Sequence, residues 1–235
     1  MLPIAILCGG LATRLGPITE TVPKSLVPIA GEPFLAHQLR LLRESGFAEA
    51  VLCVGHLGHL IQDYVRDGSR FGMRITYSFD GDVPLGTAGA LRKAAPLLGE
   101  AAFVLYGDSY LTCDYRAIER AFVQSGTSGL MTVYRNDGLF DTSNVEFARG
   151  KILCYQKRTQ TRSMHHIDYG LGVLRTLVFT EETGDLADTY SKLLADGELA
   201  GYEVAERFYE IGSVAGMHDT EQFIQTRGAM RVGAL

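Results

Sequence analysis

The sequence has no long apolar run and no surplus of basic residues. No stretch approaches the roughly 18 consecutive apolar residues that a membrane-spanning helix requires. Lysine and arginine total 22 against 27 acidic residues, which gives a formal net charge of −5, whereas proteins that bind nucleic acid usually carry a basic surplus. We therefore expect no contact with membranes or nucleic acids, although a few local cations would suffice to hold a small phosphorylated ligand.

Cysteines are few, and their spacing suggests no pairing. The four are Cys8, Cys53, Cys113 and Cys154, with no CxxC motif and no spacing to histidine that is typical of a metal site. Free thiols in a reducing cytoplasm are the expected state, because disulfides belong mainly to oxidising compartments. The first apolar run, residues 2–7, has no basic start and ends at two glycines, so it predicts a strand rather than a signal peptide. We expect a cytoplasmic protein.

The first 125 residues alternate strand patterns with amphipathic helix patterns. Strands are predicted at residues 3–8, 49–54, 73–79 and 102–106, and helices around residues 35–42, 57–65, 87–98 and 115–122. Repeated strand–helix units are typical of a parallel sheet, because parallel strands need a crossover between them. The predicted fold class is therefore α/β, with a Rossmann-like, mainly parallel sheet and helices on both faces.

Beyond residue 125 the pattern becomes rich in short strands. Strands are predicted at residues 129–135, 143–147, 151–156 and 169–176, and helices around residues 186–195 and 215–227. No repeat, low-complexity segment or clear linker separates the two parts. We therefore expect one domain over residues 1–235, with a core over 1–125 and a β-rich part with a C-terminal helix over 126–235.

A glycine-rich loop follows the first predicted strand. Gly9 and Gly10 allow the backbone to approach a ligand and direct N–H groups at it. Arg14 and Lys24 add two cations to the same loop, one able to hold a phosphate with two hydrogen bonds and the other a compact charge. Ligands of parallel sheets bind beyond the carboxyl ends of the strands, so this loop predicts a phosphate site.

Two common phosphate motifs do not fit this loop. A Walker A motif needs glycine before the lysine, and Pro23 precedes Lys24. A dinucleotide fingerprint needs the pattern G-x-G-x-x-G, whereas the glycines fall at Gly9, Gly10 and Gly16. Two readings remain, namely a nucleotidyltransferase loop and a tight turn that carries two surface cations.

The segment G-G-x-x-T-R-L from Gly9, followed by P-K-S-L-V-P-I-A-G-x-P from Pro23, resembles the signature of sugar-1-phosphate nucleotidyltransferases. Further blocks resemble the same family in the same order, at residues 84–91, 105–109, Lys157 with 167–170, and 208–213. Together they cover most of the chain. The combination of LCGG, PLGTAGAL, GDSY and IDYGL is most similar to D-glycero-D-manno-heptose 1-phosphate guanylyltransferases, and the muramate 1-phosphate uridylyltransferases come next.

The resemblance implies a reaction between a nucleoside triphosphate, here GTP, and a sugar 1-phosphate, here the heptose 1-phosphate, with release of pyrophosphate. The attacking oxygen is already an anion, so catalysis consists mostly of positioning and charge neutralisation, with Mg²⁺ as the implied cofactor. Three alternatives stay open: a UTP- or CTP-dependent enzyme for another phosphorylated substrate, a non-catalytic nucleotide-sugar sensor, and a structural subunit. A homo-oligomer is compatible with the resemblance.

The resemblance assigns roles to individual residues. Arg14, Lys24 and Asp108 are the predicted catalytic residues, for the β- and γ-phosphates, the α-phosphate and the metal respectively. The predicted nucleotide-binding residues are Leu7, Gly9, Gly10, Leu11, Arg14, Lys24, Gly86, Thr87, Gly89 and Asp108. The predicted residues for the sugar phosphate are Gly107, Ser109, Lys157, Asp168, Tyr169, Gly170 and Glu210, and the predicted metal ligands are Asp108 and Glu210.

Three positions depart from the family pattern. Glu210 stands where the family more often has aspartate, Ser25 where it commonly has proline, and Gly16 where many members have a basic residue. None of these differences removes a charge that the reaction requires. Two of the predicted site residues also have purely structural alternatives, since Lys157 could be a solvated surface lysine and Thr87 could cap its own helix.

Overall fold

The computed structural model describes residues 1–10, 21–157, 159–180 and 184–232. Its strands are Ile4–Leu7 (β1), Pro28–Ile29 (β2), Glu32–Pro33 (β3), Glu49–Val54 (β4), Arg74–Phe79 (β5), Ala101–Tyr106 (β6), Ser109–Tyr110 (β7), Gly129–Arg135 (β8), Val145–Ala148 (β9), Lys151–Tyr155 (β10), His166–Arg175 (β11), Leu199–Val204 (β12) and Tyr209–Glu210 (β13). Its α-helices are Phe34–Glu44 (α1), Gly58–Val65 (α2), Gly86–Ala94 (α3), Tyr115–Ser125 (α4), Leu186–Ala195 (α5) and Val214–Val232 (α6). In these described residues, no helix is long and apolar enough to cross a membrane.

A nine-stranded mixed sheet runs through the chain in the order β10-β9-β11-β6-β1-β4-β5, with β8 beside β11 and β12 beside β8. Strands β6, β1, β4 and β5 are parallel, as the strand–helix alternation predicts. Strand β11 pairs antiparallel with β6, and so the β-rich part extends the same sheet. The expected α/β class, with a largely parallel sheet at its centre, is confirmed.

The side chains of β1 alternate between two hydrophobic cores. Ile4 and Ile6 point to the face covered by α1, α2 and α4, where Leu39 packs. Ala5 points to the opposite face, where Leu91 of α3 packs together with α5. All five side chains are fully buried. Burial of each Leu or Ile contributes roughly 1.5–3 kcal/mol, so both layers of helices are held firmly against the sheet.

Several strands have no counterpart in the prediction. Strands β2, β3, β7 and β13 have two residues each, too short for a periodic pattern. Strand β12 pairs parallel with β8, but its sequence LAGYEV lacks a clean apolar–polar alternation. Strand β11 begins at His166, three residues before the predicted start, and its first three residues pair with β8 ahead of a bulge between Asp168 and Gly172.

Candidate functional site

The carboxyl ends of the parallel strands open into a cavity of about 340 Å³. We call it the nucleotide cavity after the predicted nucleotide-binding residues that line it. Predicted nucleotide-binding residues that line it are Leu7, Gly9, Gly10, Lys24, Gly86, Thr87 and Asp108. Cys8 and Cys53 lie on its wall, and burial raises the pKa of the Cys53 thiol to about 12. Both thiols therefore stay protonated at neutral pH, since burial raises the pKa of Cys8 as well.

A second cavity of about 400 Å³ lies beside β11 and is called the sugar-phosphate cavity. Predicted residues that line it are Ser109, Lys157, Asp168, Tyr169, Gly170 and Glu210. Lys24, Tyr106 and Asp108 line both cavities, so the two cavities meet at these residues. This junction is where a group could pass from a ligand in one cavity to a ligand in the other.

An ion pair occupies the junction. Lys24 begins a 3₁₀ turn, and its Nζ lies 2.6 Å from Asp108 Oδ2. The two side chains are 18% and 35% exposed, so both can reach a ligand while they hold one another. The ion pair places a cation and an anionic oxygen donor side by side at the point where phosphates of two ligands would come together.

The turn that carries Asp108 is held by a residue that the sequence did not single out. Gln38 of α1 is buried, and its Nε2 donates to the carbonyl oxygens of Tyr106 at 3.2 Å and Ser109 at 2.7 Å. These two carbonyls flank Gly107 and Asp108. The sequence signal that could have revealed Gln38 is its position as a polar residue among the buried apolar residues of α1.

Gly107 lies against β1 and faces the nucleotide cavity. Its N–H donates to the Leu7 carbonyl at 3.0 Å, and a Cβ at this position would come within 2.5 Å of the same oxygen. The prediction assigned Gly107 to the sugar phosphate, but it lines the nucleotide cavity. The backbone of Gly107 thus lies so close to that of Leu7 that a side chain would not fit, and this contact holds Gly107 beside the nucleotide cavity.

Glu210 comes to Asp108 through a short pair of strands. In β13 it lies opposite Ser109 of β7, and its carboxylate accepts hydrogen bonds from the Gly212 N–H and from the Ser213 hydroxyl, the latter at 2.7 Å. A Cβ on Gly212 would lie 2.6 Å from Glu210 Oε2, 2.9 Å from Lys24 Nζ and 3.7 Å from Asp108 Oδ2. Both carboxylates and the ammonium therefore converge beside Gly212.

This pair of carboxylates fits a magnesium ion in its chemistry. Mg²⁺ prefers oxygen donors and usually keeps several waters, so one or two carboxylates suffice. Across residues 1–10, 21–157, 159–180 and 184–232, no three His, Cys, Asp or Glu side chains form a metal-binding group. Asp108 and Glu210 are the candidate ligands because their carboxylates converge beside Gly212.

The first turn of α3 packs against the start of α5. Gly86 has a φ of +72°, and a Cβ there would overlap the Gly184 carbonyl, so only glycine fits easily. The Thr87 hydroxyl accepts from the Leu186 N–H at 2.7 Å instead of capping its own helix. Gly89 was predicted to bind the nucleotide, but it is buried within α3 and is not among the residues that line the nucleotide cavity.

Asp80 is a residue of the nucleotide cavity that the prediction left out. It follows β5 directly, and its Oδ2 accepts from the Leu85 N–H at 3.3 Å. Burial raises the pKa of Asp80, and the Leu85 N–H and the Lys93 charge partly oppose that rise. Its position at the carboxyl end of a parallel strand was the signal that could have revealed it.

Asp168 lies in the bulge of β11, inside the sugar-phosphate cavity. Its Oδ1 accepts from the Gly170 N–H at 3.0 Å, and its own N–H donates to Asn144 Oδ1 at 2.9 Å. Burial raises the pKa of Asp168 to about 6, against the opposing effects of Gly170, Lys157 and Tyr155. Asn144 and Tyr155 also line this cavity and were not predicted, because they come from other strands and loops.

Lys157 follows β10 and forms an ion pair with Asp185, the residue before α5. Its Nζ lies 3.0 Å from Asp185 Oδ2, with the two side chains 51% and 41% exposed. Arg14 and Leu11, predicted for the phosphates and the nucleotide backbone contacts, lie outside the described residues. Their roles stay predictions.

Comparison with known proteins identifies the class. Residues 4–138 match the model of the nucleotidyl transferase family, and the chain therefore belongs to that family. It is 40% identical over 113 residues, 48% of the chain, to N-acetylmuramate alpha-1-phosphate uridylyltransferase of Neisseria meningitidis. It is 38% identical over 109 residues, 46% of the chain, to D-glycero-alpha-D-manno-heptose 1-phosphate guanylyltransferase of Campylobacter jejuni. These matches confirm the resemblance to sugar-1-phosphate nucleotidyltransferases.

The matched segments cover 49% and 48% of those two proteins, so the chain spans about half the length of the curated relatives that it matches. Among solved structures, a putative glucose-1-phosphate thymidylyltransferase from Bacillus anthracis superposes with a TM-score of 0.84. That match covers 95% of both chains at 20% sequence identity. It confirms the fold over nearly the whole chain.

Proposed function

We propose that this protein transfers a nucleotidyl group from a nucleoside triphosphate to a sugar 1-phosphate and releases pyrophosphate. The observation that carries the proposal is the junction of the two cavities at Lys24 and Asp108. A triphosphate in the nucleotide cavity and a sugar phosphate in the other would meet at this ion pair. The reaction needs no residue to act as a base, because the attacking phosphate oxygen is already an anion.

The proposed step forms one bond and breaks one. An oxygen of the sugar 1-phosphate attacks the α-phosphorus, and the bond from that phosphorus to the pyrophosphate oxygen breaks, with its electron pair leaving on pyrophosphate. Lys24 would neutralise charge on the α-phosphate at the junction. The backbone of Gly9 and Gly10 would orient the nucleotide, and Arg14 is the predicted partner of the leaving pyrophosphate.

Mg²⁺ is the proposed cofactor, with Asp108 and Glu210 as its protein ligands. When bound it would supply positive charge to the triphosphate. The support for this assignment is the convergence of the two carboxylates beside Gly212, together with their hard oxygen donors. The Ser213 hydroxyl and the Gly212 N–H would orient Glu210 toward the ion.

GTP is the proposed nucleotide. One relative of similar identity is a guanylyltransferase and another is a uridylyltransferase, so identity alone does not decide the base. Asp80 supports guanine, because a carboxylate accepts from two adjacent donors, and guanine presents N1–H and N2–H on one edge. Uracil and thymine offer a single N–H between two carbonyl oxygens, which a carboxylate would repel. A UTP- or CTP-dependent reaction is the alternative.

The sugar-phosphate cavity supports a substrate rich in hydroxyl groups. Asp141, Asn144, Tyr155 and Asp168 line it and offer both acceptors and donors. Of the sugar 1-phosphates, we propose D-glycero-D-manno-heptose 1-phosphate, supported by the resemblance of the sequence blocks and by the guanylyltransferase relative.

The experiment that tests this function measures pyrophosphate release with Mg²⁺ over a grid of substrates. The grid crosses GTP, UTP, CTP, ATP and dTTP with several sugar 1-phosphates, including those of heptose and mannose. Release with GTP and heptose 1-phosphate alone would support the full proposal. Release with another pair would retain the reaction and replace the substrate, whereas nucleotide binding without any release would favour a nucleotide-sugar sensor.

A further inference from the structure

One carboxylate connects the nucleotide cavity to the sugar-phosphate cavity. Asp185 lies just before α5 and is not among the residues that line either cavity. Its Oδ1 accepts a hydrogen bond from the Thr87 hydroxyl at 3.2 Å. Lys157 Nζ lies 3.0 Å from Oδ2 and 3.2 Å from Oδ1 of the same carboxylate. Thr87 lines the first cavity and Lys157 lines the second, so Asp185 touches a lining residue of each.

The same contact clamps the first turns of two helices together. The Thr87 hydroxyl accepts from the Leu186 N–H at the start of α5, at 2.7 Å. The Gly184 carbonyl accepts from the Ala88 N–H at the start of α3, at 3.3 Å. The first turn of α3, which forms part of the nucleotide cavity, therefore cannot shift without disturbing the hydrogen bonds around Asp185.

The ion pair in this contact can be exchanged for a ligand. Lys157 and Asp185 are both about half exposed, and such pairs are held weakly enough to rearrange. A sugar phosphate carries up to two negative charges and would compete with Asp185 for the Lys157 ammonium. Burial works to raise the pKa of Asp185, but the Ala187 N–H, Lys157 and Thr87 outweigh it and keep the pKa below its ordinary value. The carboxylate is thus charged at neutral pH.

On the basis of the proposed function, we propose that Asp185 is a positioning residue that couples the two cavities, so that nucleotide and sugar 1-phosphate each strengthen the binding of the other. The first ligand to bind draws Thr87 or Lys157 out of the shared contact. The second ligand meets a contact that is already loosened and loses less free energy on binding. Thermodynamic linkage makes the effect equal in both directions.

The variant Asp185→Asn isolates the charge. Asparagine caps helices as well as aspartate does, and its side-chain oxygen can still accept from Thr87 and from the Ala187 N–H, which now lies 3.1 Å from Oδ1. Asp114→Asn is the matched control, because Asp114 caps α4 by accepting from the Ala117 N–H at 3.0 Å and lines neither cavity. Asp185→Ser is a second uncharged cap for use if Asp185→Asn does not fold.

Calorimetry would measure the Kd of the sugar 1-phosphate with and without the magnesium complex of an α,β-methylene triphosphate, using the pair that supports pyrophosphate release. We expect the analogue to tighten binding by about fivefold or more in the wild type and in Asp114→Asn. In Asp185→Asn, the ratio of the two Kd values should fall to within about twofold of one.

Two results would overturn the coupling. One is a wild-type protein that is active but binds the two ligands independently, and the other is an Asp185→Asn protein that keeps the wild-type ratio. A wild type that binds neither ligand and releases no pyrophosphate with any pair would contradict the proposed function itself. Activity of the wild type therefore separates failure of the coupling from failure of the function.

Discussion

The two cavities are built by different means. The nucleotide cavity lies at the ends of parallel strands and owes its shape to backbone segments without side chains, such as Gly9, Gly10 and Gly107. The sugar-phosphate cavity is lined by polar side chains from separate strands and loops, among them Asn144 and Asp168. The first arrangement follows from short strand-to-loop segments, whereas the second depends on pairing between segments far apart in sequence.

The largest effect is expected at the junction that both cavities share. Asp108→Ala should reduce Mg²⁺-dependent turnover by about a thousandfold or more, because it removes a proposed metal ligand and the partner of Lys24. Circular dichroism should show an intact fold. Glu32→Ala, which breaks an exposed ion pair with Arg40, is the control and should keep full activity. Retained turnover in Asp108→Ala would remove Asp108 from the site.

A smaller loss should follow when the turn beneath the junction is loosened. Gln38→Leu leaves the Tyr106 and Ser109 carbonyls without their donor, and a displaced Asp108 should lower kcat by about 10- to 100-fold. The KM for the triphosphate should change less than kcat, since Gln38 makes no contact with Gly9, Gly86 or Thr87 on the rest of the nucleotide cavity's lining.

Leu39→Met is the control for Gln38→Leu, because it alters a buried neighbour on the same helix that packs in the core. Thermal unfolding of each variant would confirm that it folds. A folded Gln38→Leu enzyme with wild-type kcat would show that the hydrogen bonds of Gln38 do not position Asp108.

Base selection should depend on the nucleotide cavity alone. Asp80→Asn should reduce the preference for GTP over UTP about tenfold, since a two-donor contact to a base contributes about 1–3 kcal/mol. The measurement is the ratio of kcat/KM for the two triphosphates. Asp82→Asn changes an exposed aspartate in the same turn and should leave the ratio unaltered. Equal ratios in wild type and Asp80→Asn would refute the role of Asp80.

The smallest effect is expected in the sugar-phosphate cavity, as a pH dependence. Asp168 has a pKa of about 6, so lowering the pH from 7 to 5 should protonate it and raise the KM for the sugar 1-phosphate several-fold. The phosphate of the substrate titrates in the same range, but comparison with Asp168→Asn cancels that contribution. A KM profile with the same slope in both proteins would contradict the prediction.

The raised pKa of Asp168 also makes the free energy of unfolding depend on pH. The folded protein binds this proton more tightly than the unfolded chain, in which the pKa lies near its ordinary 3.8. Between about pH 4 and 6, the contribution of Asp168 to the free energy of unfolding therefore falls as the pH rises. Asp168→Asn should remove that slope, which denaturant unfolding at several pH values would measure.

Sequence reasoning predicted much of the parallel core because periodicity and strand ends are local signals. The strand at Glu49–Val54 was predicted to the residue, and the loop residues Gly9 and Lys24 follow from motif and position. Asp80 and Gln38 were missed for different reasons. Asp80 occupied a turn that looked merely polar, and Gln38 was one polar position in an apolar stripe.

The β-rich part was harder to predict in detail. Its strands Gly129–Arg135 and Lys151–Tyr155 were found closely, but nothing in the local pattern indicated that β12 pairs with β8 or that β13 pairs with β7. Those pairings bring together residues that are far apart in sequence, and turn motifs and periodicity predict only local structure. The neighbours of Asp168 in the cavity consequently could not be named from the sequence.

The pairing of β7 with β13 has a consequence for how the proposed activity would develop during folding. The candidate site combines Lys24 and Asp108 of the junction with Glu210, and these three residues belong to widely separated segments of the chain. Closing such loops costs conformational entropy before any contact offsets it, so contacts of this range tend to form late in folding. The proposed activity should therefore recover in step with the slowest refolding phase, after the local helical signal has returned.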